Sequence, residues 1–386
     1  MVRSRLKKLS LIAGFVLTIQ IGYEWQSGSV NATSFARWTD TVAATYTWTE
    51  PKWVITDALM GVTIDEFTFA GVNSGGFIDA AGNLRIIFGT GKGATTKVSA
   101  ISRDGGATFT VDAGFRFPSG LREGLGHISV TTAAEGGYRA YLRDDLGILS
   151  VKSLDGQTWT LDPGYRVLVS SLGISKVDGG AVVKLPSGQY RMFIGDESDY
   201  FKTCGSTRPV STKILSATSP DQLNFTVDTG YRIGTEITDL CKLHPHAFLD
   251  SNGDVVVVMH INNNIAQSRS EWMGSCFFAR SKDGSTFPTL ERIPVLSPVT
   301  RGGEMYAGDC DVVVMPDKTL RLFFSNSGKI GMAIGTPVTS ASASNTVNSS
   351  LPKVGQICSQ LGKRVTINKV RLVCKKVGST KKWAKG

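Results

Sequence analysis

Ser102-Arg103-Asp104-Gly105-Gly106-Ala107-Thr108-Phe109 decides how the rest of the chain is read. The stretch recurs. Ser153-Leu154-Asp155-Gly156-Gln157-Thr158-Trp159 is a second copy, one residue shorter, and Ser281-Lys282-Asp283-Gly284-Ser285-Thr286-Phe287 is a third. Ser219-Pro220-Asp221-Gln222-Leu223-Asn224-Phe225 is a worn fourth. Each copy follows an apolar run and closes on an aromatic. An Asp carboxylate can accept from N–H groups of its own turn, and Gly supplies positive φ. Each copy therefore predicts a tight turn between antiparallel strands, with the aromatic packed beneath it. Phe109, Trp159, Phe225 and Phe287 are 50 to 66 residues apart, which means a repeat architecture.

Around the turns, five segments share one grammar: an apolar strand, a Gly turn, a second strand with Arg near its start, a loop, and a third strand. The second strands begin at Leu84-Arg85-Ile86, Tyr138-Arg139-Ala140, Tyr190-Arg191-Met192, Val255-Val256-Val257 and Leu320-Arg321-Leu322. Their alternation reads as half-buried strands. Asp112 to Arg116, Asp162 to Arg166 and Asp228 to Arg232 follow three of the turns and read as a fourth, outer strand. The fifth segment lacks one. The N-terminal stretch from Ala43 to Val54 can supply it and close the ring, which removes the exposed sheet edges. The fold expected is all-β: a five-bladed β-propeller over residues 33–337, with a small Cys-paired C-terminal module.

The turn motif resembles the Asp-box of sialidases and other β-propeller proteins, and the copy at Ser102 fits at every fixed position. The resemblance implies a structural role, on blade turns away from the active face. Gly180 to Phe193 and Asp309 to Asp317 resemble segments of five-bladed glycosidases of the arabinanase, β-xylosidase and fructosidase superfamily. That likeness implies acidic residues at the inner-strand starts of blades one, three and four, acting as base, pKa-modulating Asp and acid. This sequence departs from the pattern: it has Asn73, Gly179 with Asp178 one residue before it, and His244. Phe115-Arg116-Phe117-Pro118 looks like a sialidase motif, yet it recurs as Tyr165-Arg166 and Tyr231-Arg232 and is a repeat element.

The repeat alignment places candidate chemistry on one face. The inner strands start near Asn73, His127, Gly179, His244 and Asp309, with His246 and Asp311 two residues further on. The chain has four histidines, and His127, His244, His246 and His260 all map to this face. Asp178, Glu304, Asp309 and His244 are the catalytic candidates, with Asp196, Glu197 and Asp239 as further acids. Glycoside hydrolysis needs one protonated and one ionised carboxyl across the bond. Tyr200, Trp272 and Tyr306 could stack on sugar rings, and Arg122 and Arg301 could fix an anionic sugar. Asn73, His127 and His246 complete the expected substrate-binding set. Two function classes stay open: a glycan-active enzyme acting at the axial mouth, or a non-catalytic glycan- or surface-binding propeller. Replacing His244 or Asp309 is expected to abolish glycan release or retention with little change in melting. No cofactor is expected, although a calcium ion in the central channel would be compatible with these donors.

Composition bounds the rest. Arg3, Arg5, Lys7 and Lys8 before the apolar run Leu9 to Gly22, with small residues near Ala32, read as an export signal over residues 1–32. A secreted or envelope-associated location follows, and it permits disulfides. The expected pairs are Cys204–Cys241, Cys276–Cys310 and Cys358–Cys374. The formal charge of +10 comes from the ends. The tail from Leu351 holds ten Lys/Arg and no acid, and residues 1–32 hold four Lys/Arg and Glu24. The body keeps 28 basic against 31 acidic residues and offers no basic stripe for nucleic acid. Residues 338–351 read as a polar linker, and 352–386 as a basic module. That module resembles the short Cys-paired, Lys-rich C-terminal modules of exported actinobacterial proteins. The expected partners are an extracellular glycan and, through the tail, an anionic cell-wall polymer. The protein is expected to be a monomer.

Overall fold

The structure is a computed structural model. It describes residues 45–56, 59, 72–90, 96–118, 121, 127–198, 212–233, 240–263, 275–288, 290–293, 308–326, 329–338, 361, 364–367, 370–377 and 380–385. The chain divides into two compact units at Arg37/Trp38, and the first lies outside the described residues.

Five antiparallel sheets form the second unit's main body. Blade one is β3 (Val72–Ile78), β4 (Leu84–Thr90), β5 (Thr96–Ser102) and β6 (Thr110–Val111). Blade two is β7 (Ile128–Thr132), β8 (Tyr138–Arg143), β9 (Gly147–Ser153) and β10 (Thr160–Leu161), with β11 (Val167–Leu168) also on β9. Blade three is β12 (Val177–Lys184), β13 (Tyr190–Asp196), β14 (Ile214–Ser219) and β15 (Thr226–Val227). Blade four is β16 (Leu240–Leu249), β17 (Val255–Asn263), β18 (Ser275–Ser281) and β19 (Leu290–Arg292). Blade five is β20 (Gly308–Val314), β21 (Leu320–Asn326) and β22 (Lys329–Pro337), completed by β1 (Tyr46–Trp48) and β2 (Lys52–Ile55). Tyr46 pairs with Pro337 and Lys52 with Met332, so the N-terminal segment closes the ring as its sequence suggested. The inner strands β3, β7, β12, β16 and β20 touch in a closed cycle.

The repeat motifs hold neighbouring blades together. In every copy the Ser hydroxyl donates to the turn Asp: Ser102 to Asp104 at 2.7 Å, and Ser153, Ser219 and Ser281 each at 2.9 Å. The Asp accepts backbone N–H groups further along, such as Thr108 N and Thr158 N. The closing aromatic packs on the preceding blade: Phe109 on Phe323, Trp159 on Phe77, Phe225 on Tyr141 and Phe287 on Phe193. Second-strand arginines reach the next blade's turn, as with Arg321 Nε to Gly105 O at 2.6 Å and Arg191 Nη1 to Ser285 Oγ at 2.7 Å, whereas Arg85 pairs within its own blade with Asp79 and Asp112. Gln222 stands where the other copies have Gly and takes φ +67°. Its amide offsets the strain by joining Ala134 N, Arg139 Nη1 and Thr132 O of blade two. The five large apolar clusters fill the wedges between adjacent blades, as with Ile86, Phe88, Val313 and Phe323 between blades one and five.

The outer strands need a correction. They are Thr110–Val111, Thr160–Leu161 and Thr226–Val227, not the segments that follow. Asp112, Asp162 and Asp228 instead accept from a third-strand Ser (Ser99, Ser150, Ser216). Gly114, Gly164 and Gly230, all near φ +78°, then turn the chain so that Arg116 N, Arg166 N and Arg232 N meet the third strand again. A strand interrupted this way reads as continuous from its residues alone.

Cys276 and Cys310 form a disulfide between blades four and five. Cys374 is also disulfide-bonded. Its expected partner Cys358 lies outside the described residues, as does Cys204, the expected partner of Cys241. The C-terminal residues form a separate sheet of β23 (Arg364–Ile367), β24 (Val370–Val377) and β25 (Thr380–Lys385), with Leu372, Cys374 and Trp383 buried together. No helix among the described residues is long and apolar enough to cross a membrane.

Candidate functional site

Four of the five inner strands break register at the same place. The breaks fall between Val72 and Gly75, Val177 and Gly179, Leu243 and His246, and Gly308 and Asp311. A bulge bends its strand and re-aims a side chain relative to regular pleating. Two bulged residues, His244 and Asp309, carry φ of +51° and +50° without being Gly. Such strain persists only where the surroundings over-determine it, and it concentrates at functional sites.

The re-aimed side chains meet. His244 Nε2 lies 3.0 Å from Asp178 Oδ1, and His244 Nδ1 contacts Asp309 Oδ1 on the ring's other side. His244 N also donates to Asp178 Oδ2. His246 Nε2 lies 2.8 Å from Asp311 Oδ1, and Gly76 N donates to Asp311 Oδ2 at 2.5 Å. Ser325 Oγ donates to Asp309 Oδ2 at 2.8 Å. The His127 ring stacks on His244, with centroids 5.6 Å apart and planes 4° apart. His260 stacks on the same ring at 6.0 Å. All five blades contribute, so the cluster sits on the ring axis.

Burial sets the protonation states. Asp178, Asp311 and His260 are fully buried, and the His244 side chain keeps 17% of its surface. Burial alone would raise the Asp178 carboxyl, but the His244 imidazolium outweighs it and holds it down to about 2. Burial likewise opposes ionisation of Asp309, and His244, His260 and Ser325 reverse that and hold it well below the usual carboxylate range. Burial works against the His244 cation, yet Asp178 and Asp309 push it well above the ordinary imidazole value. His127 goes the other way: burial first, then the charges of His244 and His246, lower it to about 3. The cluster is an imidazolium between two carboxylates, with a neutral imidazole stacked on it.

Gly179 explains how His127 fits. A Cβ there would sit 2.7 Å from His127 Cβ and 2.9 Å from its Nδ1. The absent side chain in blade three makes room for the ring from blade two. Gly179→Ala is expected to cost about 1–3 kcal/mol in urea unfolding, because the ring's Cβ cannot retreat from its own backbone. An unchanged midpoint would contradict this packing.

The sequence-expected residues divide cleanly. His127, Asp178, His244, His246 and Asp309 come together. Asn73 lies in the β3 bulge. Arg122, Tyr200, Asp239, Trp272, Arg301, Glu304 and Tyr306 lie outside the described residues. Glu197 pairs with Lys176 at 3.0 Å and Arg143 at 3.5 Å. Lys97 was not foreseen. It is 3% exposed, burial lowers its ammonium to about 8, and the Asp309 charge partly opposes that. Aligning the third strands on their hydrogen bonds from Arg116 N, Arg166 N and Arg232 N sets Lys97 beside Ile148 and Ile214. A Lys among isoleucines was the signal.

No family profile matches the sequence, and no curated protein matches it. Solved structures do. The fold is that of five-bladed glycoside hydrolases. A structure from the GH130 family of mannoside phosphorylases, a family containing glycoside hydrolases that target β-1,2 mannosidic linkages in Candida mannan, aligns with TM-score 0.51 at 16% identity, over 74% of this chain and 94% of its own. A glycosyl hydrolase from Bacteroides ovatus aligns with TM-score 0.52 at 13% identity, over 74% and 94%. An endo-arabinase from Bacteroides thetaiotaomicron aligns with TM-score 0.52 at 12% identity, over 75% and 98%. At these identities the likeness is one of fold.

Asp178 and Asp309, the two carboxyls beside His244, are held low rather than raised toward a proton-donating value. Glu291 is raised, chiefly by burial, but it lies on β19, the outermost strand of blade four. Asp178 and Asp309 are therefore ionised acceptors held against His244, Asp178 fully buried and Asp309 keeping 6% of its side-chain surface.

Proposed function

We propose that this chain is an exported, glycoside-hydrolase-like propeller that takes an extracellular glycan at its axial mouth. The observation that carries the reading is the strained pair His244 and Asp309, held in bulges and joined to Asp178 at the ring axis. A purely structural inner strand has no use for that strain. Ionised carboxylates accept from sugar hydroxyls, and His244 supplies a partly exposed cation beside them. The fold neighbours support a carbohydrate ligand by analogy.

Retention without cleavage is the second reading. It is favoured by Asp178 and Asp309, which are held ionised and carry no proton to donate, so acid chemistry would fall to Glu304 if the chain is an enzyme. The basic module supports attachment to an anionic wall polymer. Lys375 stands opposite Lys382 and Lys376 opposite Lys381, and like charges set opposite each other favour a polyanion between them.

The deciding experiment incubates the mature protein with a polysaccharide panel and scores release and retention together. New reducing ends support the enzyme, and retention without release supports the binder. If no polysaccharide is cleaved or retained, the proposal fails.

A further inference from the structure

Two residues of the axial cluster hold a backbone shape that L-residues resist. His244 and Asp309 are not Gly, yet each stands at positive φ. Both are the first of two bulge residues set against a single partner: His244 and Pro245 against Met259, and Asp309 and Cys310 against Phe324. The second residue of each pair restrains the chain. Pro245 has a fixed φ and no N–H to leave unpaired in the bulge. Cys310 is tied to Cys276 of blade four. We propose that the Cys276–Cys310 disulfide is a positioning device of the axial site, which holds Asp309 against His244, and not a staple for the propeller as a whole.

The bridge reaches the cluster from both of its ends. Cys276 on β18 stands directly opposite His260 on β17. Cys310 follows Asp309 within the bulge of β20. His260 stacks on His244, and Asp309 Oδ1 contacts His244 Nδ1. One S–S bond therefore links the backbone behind two of the groups around that ring. Leu243, the neighbour of His244, is the other cross-strand partner of His260, so a shift of β17 is felt at His244 as well.

Blades four and five have other means of adhering. Val256, Val258 and Phe278 pack with Val312 and Leu322 in the wedge between them. Both cysteines are fully buried, so the bond restrains the core and not a surface loop. Ser325 Oγ donates to Asp309 Oδ2 at 2.8 Å, which fixes the carboxyl but not the strained backbone that carries it. Strain of that kind persists only while the surroundings over-determine the chain.

Without the bond the β20 bulge can relax toward ordinary pairing and draw Asp309 away from His244. The groups facing His244 are Asp178 from β12, Asp309 from β20, and the His127 and His260 rings. Arg143 lies near Asp178, and Lys97 near Asp309. Of the four groups that face the ring, the disulfide reaches Asp309 and His260. His244 would then keep Asp178 as its counter-charge and hold its proton less firmly. These restraints lie in the backbone and need no glycan, so their failure would leave the glycan reading standing.

The test compares the mature chain with its Cys276→Ala/Cys310→Ala form, following the imidazole nitrogen resonances across the pH range. His244 is expected to bind its proton at least about tenfold more weakly in the variant. Denaturant unfolding of the same samples separates position from stability. A bridge that only stabilises would lower the midpoint and leave the His244 titration where it was, and that result overturns the proposal. If the variant does not fold, the unaltered chain is treated with a dithiol until Cys276 and Cys310 alkylate. The dithiol gives two electrons and two protons to the bridge and closes to its own cyclic disulfide. The His244 signal should change in step with alkylation while the amide spectrum of the other blades persists. Loss of the whole spectrum at once, or a His244 signal that ignores reduction, also overturns the proposal.

Discussion

His244→Ala is expected to lower the unfolding free energy by about 3–5 kcal/mol at neutral pH, a large part of what a domain has in total. The substitution removes the cation from between Asp178 and Asp309, whose side chains keep 0% and 6% of their surface. Two buried carboxylates then face each other without compensation, and they must either stay charged at high cost or take up protons. The loss should shrink as the pH falls toward the ordinary carboxylate range, where protonation relieves it. His244→Gly should be less damaging than His244→Ala by roughly 1 kcal/mol, since Gly tolerates the φ of +51°. Urea unfolding of the three proteins at two pH values checks this. A loss under about 1 kcal/mol for His244→Ala would show that the imidazolium is not bridging. This differs from the expectation drawn from the sequence, where replacing His244 was to abolish glycan release or retention with little change in melting, and the reason is burial.

Stability is expected to peak near the free imidazole value and to fall on both sides of it. The folded value of His127 is about 3, against 6.5 in the unfolded chain. The unfolded state therefore binds a proton that the native state refuses, and stability falls as pH drops from 6.5 toward 3. Asp178, at about 2 folded against 3.8 unfolded, adds a loss as pH falls through its folded value. The turn carboxylates Asp104, Asp155, Asp221 and Asp283 are also lowered by their turn hydrogen bonds and act in the same direction. His244 has the opposite sign. Its folded value is raised, so its contribution is complete below 6.5 and is lost as pH rises through the folded value. Denaturant midpoints across the pH range, in the presence of chelator, test the profile. His127→Gln should flatten the limb between pH 6.5 and about 4 by roughly 3 kcal/mol. If that limb is unchanged, His127 is not a buried neutral imidazole.

Much of the fold was legible because it repeats. The copies of Ser-x-Asp gave the blade spacing, and the missing outer strand of the last segment pointed to Tyr46–Trp48 as its replacement. Repeats reveal what is alike between segments and conceal what touches between them. Nothing in the sequence says that Phe109 also packs on Phe323 of the preceding blade. The same limit hid the role of Arg191 and Arg321, whose spacing marked a strand start but not a contact with the next turn.

The histidines were legible for a different reason. Four rings with no common sequence spacing mapped to one face or to strand ends leading to it, and in the structure they share one cluster. Asp178 stood one residue off the alignment because a bulge adds a residue without a sequence marker. Lys97 was hidden in an otherwise ordinary third strand, and only the hydrogen-bond alignment with Ile148 and Ile214 sets it apart.

The chain has four histidines, and all of them belong to the axial cluster. Imidazole nitrogen resonances therefore report on the mouth alone. The most direct test records them in the mature protein with and without the oligosaccharide it retains or cleaves best. The account predicts that the His244 signal, from the partly exposed ring, moves on addition of the sugar, and that His127 moves with it through their stacking. A glycan that binds while all four histidine signals stay fixed would place the site elsewhere on the propeller and contradict the account.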